Sequence, residues 1–389
     1  KLLTSTGTTL SSLASAPALF VGGSTVAKVM GNVFVGNTST NNAGAIAIED
    51  NVVPLLVSNF FIDNTGANGS GALDISNQGG GEGSSNFTGP QPQGIVSDCV
   101  FDSNQEGCVR IEGNGPRFVN CVFRNNTSAA AGGAMLIIPN SSVQLFNCVF
   151  DGNQSDDFGG AILNFDASLE MINCTMVHNT AELGGDSFAA TADANTSVVN
   201  SIIWDNGSPM GITEGGDGSF SLEFSIVEGG FPGTGNIDQD PQFVDEFGPD
   251  GLAGTGDEDL SLQSTSPAID AGDNLAVLLD DFDADEDEDF TERFPFDLLL
   301  NARFVDHPEV ADTGNGLSPI VDMGAIEFQV ATKVLLGDVN LDGVVDLLDV
   351  ESFVDRITNG VFQAEADVNQ DGMVNLLDVG PFISILSNA

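Results

Sequence analysis

A seven-residue stretch that returns one short interval later constrains the fold of this chain more than any other feature. Residues 120–126 read NCVFRNN, residues 147–153 read NCVFDGN, and a glycine pair follows each copy. A repeat in the twenties predicts a unit that buries its apolar face by stacking on its neighbours. The asparagine that ends each copy recurs after 27, 40, 22, 27, 26 and 27 residues. The repeated pairs are Phe34/Asn37, Phe61/Asn64, Phe101/Asn104, Phe123/Asn126, Phe150/Asn153, Met176/Asn179 and Ile203/Asn206.

The spacing within the unit indicates strands. Cys121 and Phe123 alternate with Asn120 and Val122, which is the period of a strand and not of a helix. The regular leucines of a leucine-rich horseshoe are absent, so we predict a mainly β chain, a parallel β-helix with strands of successive coils about 4.8 Å apart. Phenylalanines should stack inside, and asparagines should bond to one another at a left-handed corner. Glycines keep nearly the same interval, at Gly44, Gly71, Gly107, Gly133, Gly160, Gly185 and Gly211.

Four of the five cysteines occupy one position of successive repeats, two residues before the phenylalanine position. They are Cys99, Cys121, Cys148 and Cys174, while Cys108 lies outside this pattern. We expect an inward-facing ladder of buried thiols that act as small apolar residues. Disulfides between adjacent coils remain an alternative, although they would strain parallel side chains. A metal site would need a CxxC pair or a nearby histidine, which the pattern lacks.

The charge balance excludes two classes of partner. The 389 residues include 57 Asp+Glu and 9 Lys+Arg, which gives a formal net charge of -48. Such a surface repels nucleic acid and anionic membranes, and it attracts divalent cations or keeps an extracellular protein soluble. No apolar run approaches the ~18 residues of a membrane-spanning helix. The chain starts at Lys1 without the pattern of an export signal, so we expect any such signal to have been removed or to lie outside this sequence.

Composition divides the chain into four segments. Residues 1–29 are rich in Ser, Thr and Ala, and we expect a cap over the open end of the β-helix or a strand exchanged with another molecule. Residues 30–235 carry the repeats, residues 236–330 form an acidic segment, and residues 333–389 form a separate domain. An insertion between Asn77 and Gly94 explains the 40-residue step and is expected to be a surface loop.

The acidic segment resembles a known family in three places. Residues 238–329 hold 25 acidic residues and two arginines, Arg293 and Arg303. The stretches DPQFVDEFGPDGLAGTGDEDLSL, STSPAIDAGD and PIVDMGAIEF are similar to the C-terminal part of secreted bacterial β-helix proteins of the choice-of-anchor type, in the pectate-lyase-like superfamily. The resemblance implies a right-handed β-helix that continues through residues 236–330 with long acidic excursions. It also implies a surface location, and it implies no activity.

Two stretches of the acidic segment raise a calcium hypothesis. Asp250, Asp257 and Asp259 lie among glycines, and eight acidic residues fall between Asp280 and Asp289. Hard cations bind where several carboxylate oxygens converge from a flexible loop. A solvated acidic loop without an ion explains either stretch equally well.

The last segment predicts two calcium loops. Residues 338–349 read DVNLDGVVDLLD and residues 367–378 read DVNQDGMVNLLD, with oxygen ligands at positions 1, 3, 5, 9 and 12 and glycine at position 6. The side-chain ligands would be Asp338, Asn340, Asp342, Asp346 and Asp349, then Asp367, Asn369, Asp371, Asn375 and Asp378, and Val344 and Met373 would add backbone carbonyls. Each loop leads into a short amphipathic helix. The apolar residues of the two helices are Leu347, Val350, Phe353, Val354 and Ile357, matched by Leu376, Val379, Phe382, Ile383 and Leu386.

The two loop-helix units together resemble a type I dockerin. The resemblance implies that they pack about a pseudo-twofold axis, bind two Ca²⁺ ions and dock onto a cohesin. Position 12 is Asp in both loops, as in dockerins. Positions 10 and 11, often small or polar in cohesin-binding dockerins, are Leu347-Leu348 and Leu376-Leu377 here. We expect these leucines to contact a cohesin-like partner, or an apolar groove on another protein or on a second copy of this chain.

Two function hypotheses remain open. The favoured one is a secreted, non-catalytic structural or adhesive protein outside the cell or on its surface, in contact with extracellular polysaccharide. Copies could join end to end into a fibre, with the C-terminal module of one holding the N-terminal region of the next. The alternative is a polysaccharide lyase or glycoside hydrolase tethered by its dockerin-like module.

The candidate catalytic residues do not form an obvious constellation. Arg110, Arg117 and Arg124 are the basic cluster, and no carboxylate set keeps clear register with them. An inverting glycosidase needs carboxylates close together, whereas Asp102, Asp151 and Asp205 fall on different coils. His178 and His307 are far apart in sequence, and each is predicted to be a surface or corner residue and not a base.

Overall fold

A computed structural model divides the chain into two units, Lys1–Gln329 and Val330–Ala389. The described residues are 2–6, 9–10, 17–22, 26–41, 43–49, 52–67, 69–77, 94–207, 212–214, 218–281, 283–285, 287–330, 336–337, 339–340, 344–359, 363, 365–369 and 373–386. Most of the insertion at residues 77–94 lies outside them. Among the described residues, no helix has the length and apolar composition that crossing a bilayer requires.

The first unit consists of short strands, and the second contains two helices. The strands are β1 Leu2–Thr6, β2 Thr9–Leu10, β3 Leu19–Val21, β4 Val26–Met30, β5 Val33–Val35, β6 Ile46–Glu49, β7 Val53–Val57, β8 Phe60–Ile62, β9 Leu73–Asn77, β10 Ile95–Ser97, β11 Val100–Asp102, β12 Val109–Val119, β13 Val122–Arg124, β14 Thr127–Ser128, β15 Met135–Ile137, β16 Ser142–Phe146, β17 Val149–Asp151, β18 Gln154–Ser155, β19 Ile162–Phe165, β20 Ser168–Ile172, β21 Thr175–Val177, β22 Thr180–Ala181, β23 Phe188–Thr191, β24 Asn195–Val199, β25 Ile202–Trp204, β26 Ile212–Glu214, β27 Phe220–Glu223, β28 Ile226–Val227, β29 Phe243–Asp245 and β30 Asp259–Leu262. The helices are α1 Asp349–Asn359 and α2 Val379–Leu386.

The strands of the first unit form a parallel β-helix, as the repeat predicts. Sheet one contains β1, β4, β7, β10, β12, β16, β20, β24 and β27, and sheet two contains β2, β5, β8, β11, β13, β17, β21, β25 and β28. Sheet three contains β3, β6, β9, β12, β15, β19, β23 and β26. The long strand β12 turns the corner between sheets three and one, because its first half pairs with β9 and its second half with β16. A narrow fourth sheet orders β14, β18 and β22.

The predicted phenylalanine column lies in the interior and is confirmed. The rings of Phe101 and Phe123 are 4.7 Å apart at 1°, and those of Phe123 and Phe150 are 4.7 Å apart at 2°. All members are buried, and each is aligned with its counterpart in the next coil. The column runs through Phe34, Phe61, Phe101, Phe123, Phe150, Met176, Ile203 and Val227.

The asparagine ladder is also confirmed, with one correction. Asn126 Nδ2 donates to Asn153 Oδ1 at 2.9 Å and to the carbonyl of Phe101 at 3.0 Å, and the same pattern links the ladder from Asn37 to Asn206. The left-handed backbone, however, is at the residue before the ladder, for example Asn125 at φ 53°. This residue turns the chain, so the following asparagine points inward and satisfies carbonyls of the previous coil.

The cysteines are buried and free, which confirms buried thiols over disulfides. The residues at this position also form hydrogen bonds, in addition to their apolar packing. Cys121 Sγ donates to the carbonyls of Val96 and Val119 at 3.3 and 3.4 Å, and the Cys174 N–H donates to Ser201 Oγ at 3.1 Å. Burial raises the pKa of the Cys121 thiol, so this thiol stays protonated as a donor.

The glycines allow neighbouring coils to approach closely. The N–H of Gly133 donates to the carbonyl of Gly160 at 3.0 Å, and a Cβ on Gly133 would collide with that carbonyl oxygen. The predicted register is wrong at Gly185, because it aligns with Gly159, and Asp186 aligns with Gly160. Gly211 lies outside the described residues.

The N-terminal segment forms a coil of the same β-helix. β1 pairs with β4, β2 with β5 and β3 with β6, all in parallel register. The described strands β1 to β3 therefore add a coil to the repeats, whereas the sequence predicted that residues 1–29 form a cap or an exchanged strand.

The acidic segment does not continue the β-helix as the family resemblance implied. Its regular strands are the antiparallel pair β29 and β30, and the other described residues are turns and irregular chain. It packs on the outside of the coils, where Met323 and Ala325 join Val177 and Ile202 in one buried cluster. The physical reason is that outward-facing apolar residues of β17, β21, β25 and β28 need a cover, which the segment supplies.

The second unit is small and centred on two aromatic rings. Phe353 of α1 and Phe382 of α2 stack with centroids 3.8 Å apart. Val339, Ala366, Val368 and Val374 complete the buried cluster among the described residues. With so few apolar residues, this unit has little hydrophobic stabilisation of its own.

Candidate functional site

The two predicted calcium loops have the same geometry at position 12. Asp349 accepts the N–H of Asn340 and of Asp346 on its two oxygens, both at 2.9 Å. Asp378 accepts the N–H of Asn369 at 3.0 Å and of Asn375 at 2.9 Å in the same way. The chain thus folds both loops around a buried carboxylate just before or at the start of a helix.

Position 9 is also equivalent in the two loops. Asp346 Oδ1 accepts the N–H of Leu348 at 2.7 Å, and Asn375 Oδ1 accepts the N–H of Leu377 at 2.8 Å. These side chains cap the turn that leads into each helix. Asp338, Asp342 and Asp371 lie outside the described residues.

The chemistry of these loops fits a hard cation. Asp349 and Asp378 are fully buried, and neither carboxylate makes an ion pair within the part of the unit that the structure describes. A buried ionised carboxylate without a positive partner costs several kcal/mol, so a divalent ion would remove a real penalty here. Oxygen ligands from Asp and Asn and from backbone carbonyls are the set that calcium prefers.

The predicted partner residues are at the surface. Leu347 and Leu376 are 80% and 77% exposed, and Leu348 and Leu377 are 69% and 67% exposed. Val354 and Ile383, predicted to belong to the apolar helix faces, are more than half exposed as well. The two loop-helix units therefore present matching apolar surfaces, which we call the leucine surfaces, defined by Leu347, Leu348, Val354, Leu376, Leu377 and Ile383.

The acidic stretches give a mixed result. Asp250, Asp257 and Asp259 each bond to a residue within two positions, through the N–H of Leu252, Thr255 Oγ1 and the N–H of Ser261. In the second stretch, the carboxylates of Asp283, Asp285 and Asp287 come within 4.8 Å of one another, and those of Asp280 and Asp285 form a similar group with the nearby Glu292. The calcium hypothesis for this stretch stays a prediction.

The arginine cluster is engaged in ion pairs. Arg110 contacts Asp74 at 3.3 Å and Glu112 at 2.6 Å, and Arg117 contacts Asp281 at 2.7 Å. Arg124 contacts Asp102 at 2.8 Å. Contrary to the sequence prediction, carboxylates do keep register with these arginines, because Asp102, Arg124 and Asp151 occupy one position of β11, β13 and β17.

The structure brings together a group that the sequence did not reveal. His178 Nδ1 lies 2.7 Å from Asp151 Oδ1, while Nε2 lies 3.5 Å from Glu246 Oε1 and 3.8 Å from Asp205 Oδ2. The imidazole is at a left-handed corner, as predicted, but its side chain is only 5% exposed. The acidic segment covers it, with the ring of Phe247 4.8 Å from the imidazole.

These carboxylates control the charge of the imidazole. Burial by itself lowers the pKa of His178, but Asp151 and Glu246 outweigh it and raise that pKa to about 9. Burial raises the pKa of Asp151 despite the opposing effect of His178. Burial and then Asp205 and Asp238 raise the pKa of Glu228, which lines the same cleft. Register alone places His178 and Asp205 on neighbouring coils, whereas Glu246 comes from a non-repeating segment.

Comparison with known proteins places the second unit. Residues 336–385 match the family model described as the Dockerin type I domain. No curated protein and no solved structure gave a match to the chain. Dockerin type I domains bind calcium and dock onto cohesin partners, and the proteins that carry them are typically extracellular or on the cell surface.

Proposed function

We propose that this chain is an extracellular, non-catalytic structural or adhesive element whose β-helix is tethered to a second protein by its calcium-loaded dockerin-like module. The observation that carries the proposal is the pair of leucine surfaces beside two equivalent loops. Large apolar side chains exposed at matching positions mark a protein-binding surface. The choice-of-anchor resemblance, with its pectate-lyase-like superfamily, supports a surface location and adds no activity.

Calcium is proposed at both loops. Asp346 and Asp349 with Asn340, and Asn375 and Asp378 with Asn369, would supply oxygens, together with Asp338, Asp342, Asp367 and Asp371 and the carbonyls of Val344 and Met373. The ion would neutralise the buried carboxylates of position 12 and fix the start of each helix. Because the apolar core is small, much of the folding free energy of the unit should come from the metal.

Removal of calcium tests this point. Chelation should unfold α1 and α2 and leave the β-helix intact, because the two units have separate cores. Hydrogen exchange measured by mass spectrometry should show loss of protection in residues 349–386 and none in β13 to β25. Protection of α1 that persists in chelator would contradict metal-dependent folding.

The partner of the leucine surfaces is proposed to be a cohesin-like domain or a second copy of this chain. A recombinant type I cohesin and the chain itself serve as probes, with calorimetry for the first and light scattering after size exclusion for the second. Leu347→Asp with Leu376→Asp should abolish the interaction, while Leu252→Asp, an exposed leucine in the acidic segment, should not affect it. If neither probe binds the calcium-loaded chain, the coupling role is wrong.

We also propose that copies of the chain assemble end to end into a fibre. β1 and β2 are the last strands at one end of sheets one and two within the described residues, so strand pairing could extend the coils there. The other end is closed by residues 224–237, where the N–H of Phe224 donates to the carbonyl of Thr234 and Phe231 packs on Phe220. Electron microscopy should show calcium-dependent filaments, and monodisperse particles in both calcium and chelator would reject the fibre.

A further inference from the structure

The cleft around His178 is built differently from an ordinary solvated acidic patch. It has a volume of about 440 Å³ and is lined by His178, Thr180, Asp205, Asn206, Gly207, Glu228, Phe247 and Ala253. Among these lining residues there is no lysine or arginine. Nε2 of His178 and Oε1 of Glu246 are buried from solvent and make no hydrogen bond. The two atoms face each other across 3.5 Å, and an ion placed between them would displace the proton of Nε2 and give both atoms a partner.

The spacing of these atoms matches the coordination shell of a small ion. Two ligand atoms about 2.1 Å from a tetrahedral ion lie about 3.4 Å apart. The distances from His178 Nε2 to Glu246 Oε1 and to Asp205 Oδ2 are 3.5 and 3.8 Å. One ligand atom from each of these three residues lies within 4.8 Å of the others. These distances are too long for direct hydrogen bonds, and they are short enough for one ion to contact all three ligand atoms.

The imidazole is held in the orientation that metal binding needs. Asp151 contacts Nδ1 at 2.7 Å, which directs Nε2 toward Asp205 and Glu246. A carboxylate behind the distal nitrogen is the usual support of a metal-bound histidine, because it fixes the tautomer and the ring orientation. Asp151 is itself only 4% exposed and lies on β17, one coil before His178, so its position is set by the β-helix.

We propose that His178 Nε2, Asp205 and Glu246 bind one divalent transition metal of the zinc class, supported by Asp151. The ion bridges two parts of the first unit, because His178 and Asp205 belong to the coils and Glu246 belongs to the acidic segment. An imidazole ligand selects zinc-class metals over calcium, which takes oxygen ligands. Glu228, which accepts the N–H of Asp205 at 3.1 Å, adds negative charge at the entrance.

The test uses the full chain, freed of other metals and kept saturated with calcium so that the dockerin-like loops are filled. Titration with Co²⁺ should give one equivalent with the visible absorption of a four- or five-coordinate ion, and Zn²⁺ should displace it. His178→Gln should remove the band. His307→Gln, a change in the other histidine of the chain, is the matched control and should leave it unchanged. Asp151→Asn should weaken binding about 10–100-fold.

A second readout separates loss of the ion from loss of the fold. Asp205 is 54% exposed and has a left-handed φ of 44°, which asparagine tolerates, so Asp205→Asn should fold and still lose affinity by about tenfold or more. Zn²⁺ should raise the melting midpoint followed by the fluorescence of Trp204 in the unmodified chain and not in His178→Gln. Equal Co²⁺ binding by His178→Gln and the unmodified chain, or no binding at micromolar metal, would overturn the proposal.

Discussion

In the β-helix one contact is repeated down the molecule, whereas in the acidic segment almost every contact occurs once. The asparagine ladder makes the same Nδ2 to Oδ1 bond six times, at 2.7 to 3.0 Å. One of the contacts that join the acidic segment to the coils is Arg303, which is fully buried and donates to Asn147 Oδ1 at 2.6 Å and to the carbonyls of Gly324 and Ala325. Repetition distributes stability over many equal contacts, whereas Arg303 makes a set of contacts that occurs once.

The environment of Arg303 shows how the electrostatics of the acidic segment differ from those of the β-helix. Glu327 lies 3.5 Å from the guanidinium, and its two oxygens accept the N–H groups of Val305 and Asp322. Burial raises the pKa of Glu327 despite Arg303, and burial raises the pKa of Asp322 to about 7. The asparagine ladder inside the β-helix does not depend on charge in this way, because its buried side chains are neutral amides.

The largest effect is expected in the phenylalanine column. Phe123→Ala should lower the free energy of unfolding by about 3–5 kcal/mol, because it removes a ring stacked on both sides and leaves a cavity that the coils cannot close. Urea denaturation in calcium, followed by Trp204 fluorescence, measures it. Phe20→Ala, at a 53% exposed ring of β3, is the control and should cost less than about 1 kcal/mol. Equal effects of the two changes would contradict a packed column.

Arg303→Met should have the next largest effect, about 3 kcal/mol, because it leaves buried acceptors without their donor. Its effect should be local, unlike that of Phe123→Ala. Hydrogen exchange should increase in residues 294–328 and remain slow in β13 to β21. Arg293→Met, at the half-buried arginine of the same segment, should leave exchange nearly unchanged. Uniform loss of protection across the β-helix would show that the two regions unfold as one.

Stability should also depend on pH through the acidic segment. Asp322 has a folded pKa of about 7, above the ordinary value of 3.8, so the folded protein keeps a proton that the unfolded chain releases between these values. Its contribution to the unfolding free energy therefore falls as pH rises through this window, by up to about 1.4 kcal/mol per pH unit. Asp322→Asn should make the decrease of the denaturation midpoint with rising pH smaller, as measured by Trp204 fluorescence. A variant with the same pH slope as the unmodified chain would exclude Asp322 as a cause.

The smallest effect is expected at the thiol ladder. Cys121→Ser should cost about 1 kcal/mol or less, because a hydroxyl can donate to the carbonyls of Val96 and Val119 as the thiol does. The same position is Ser201 and Ser225 in later coils, where both residues are buried. Cys121→Val, which cannot donate, is the contrast and should cost more. A serine variant that is less stable than the valine variant would show that the ladder is purely apolar.

The sequence by itself determined the parallel β-helix, its stacked phenylalanines and bonded asparagines, and the dockerin-like unit with its twin loops. Each of these features is a repeat, and equivalent residues of successive repeats are predicted to contact one another. Within the repeats the sequence misplaced details of register, such as the left-handed residue before each ladder asparagine and the alignment of Gly185, and outside them it predicted further coils in the acidic segment. The tertiary structure decided that residues 236–330 cover the coils and that Glu246 meets His178 and Arg303 meets Asn147. These contacts join residues that are 68 and 156 positions apart in the sequence, and each occurs once. A contact that occurs once leaves no periodic pattern in the sequence from which it could be predicted.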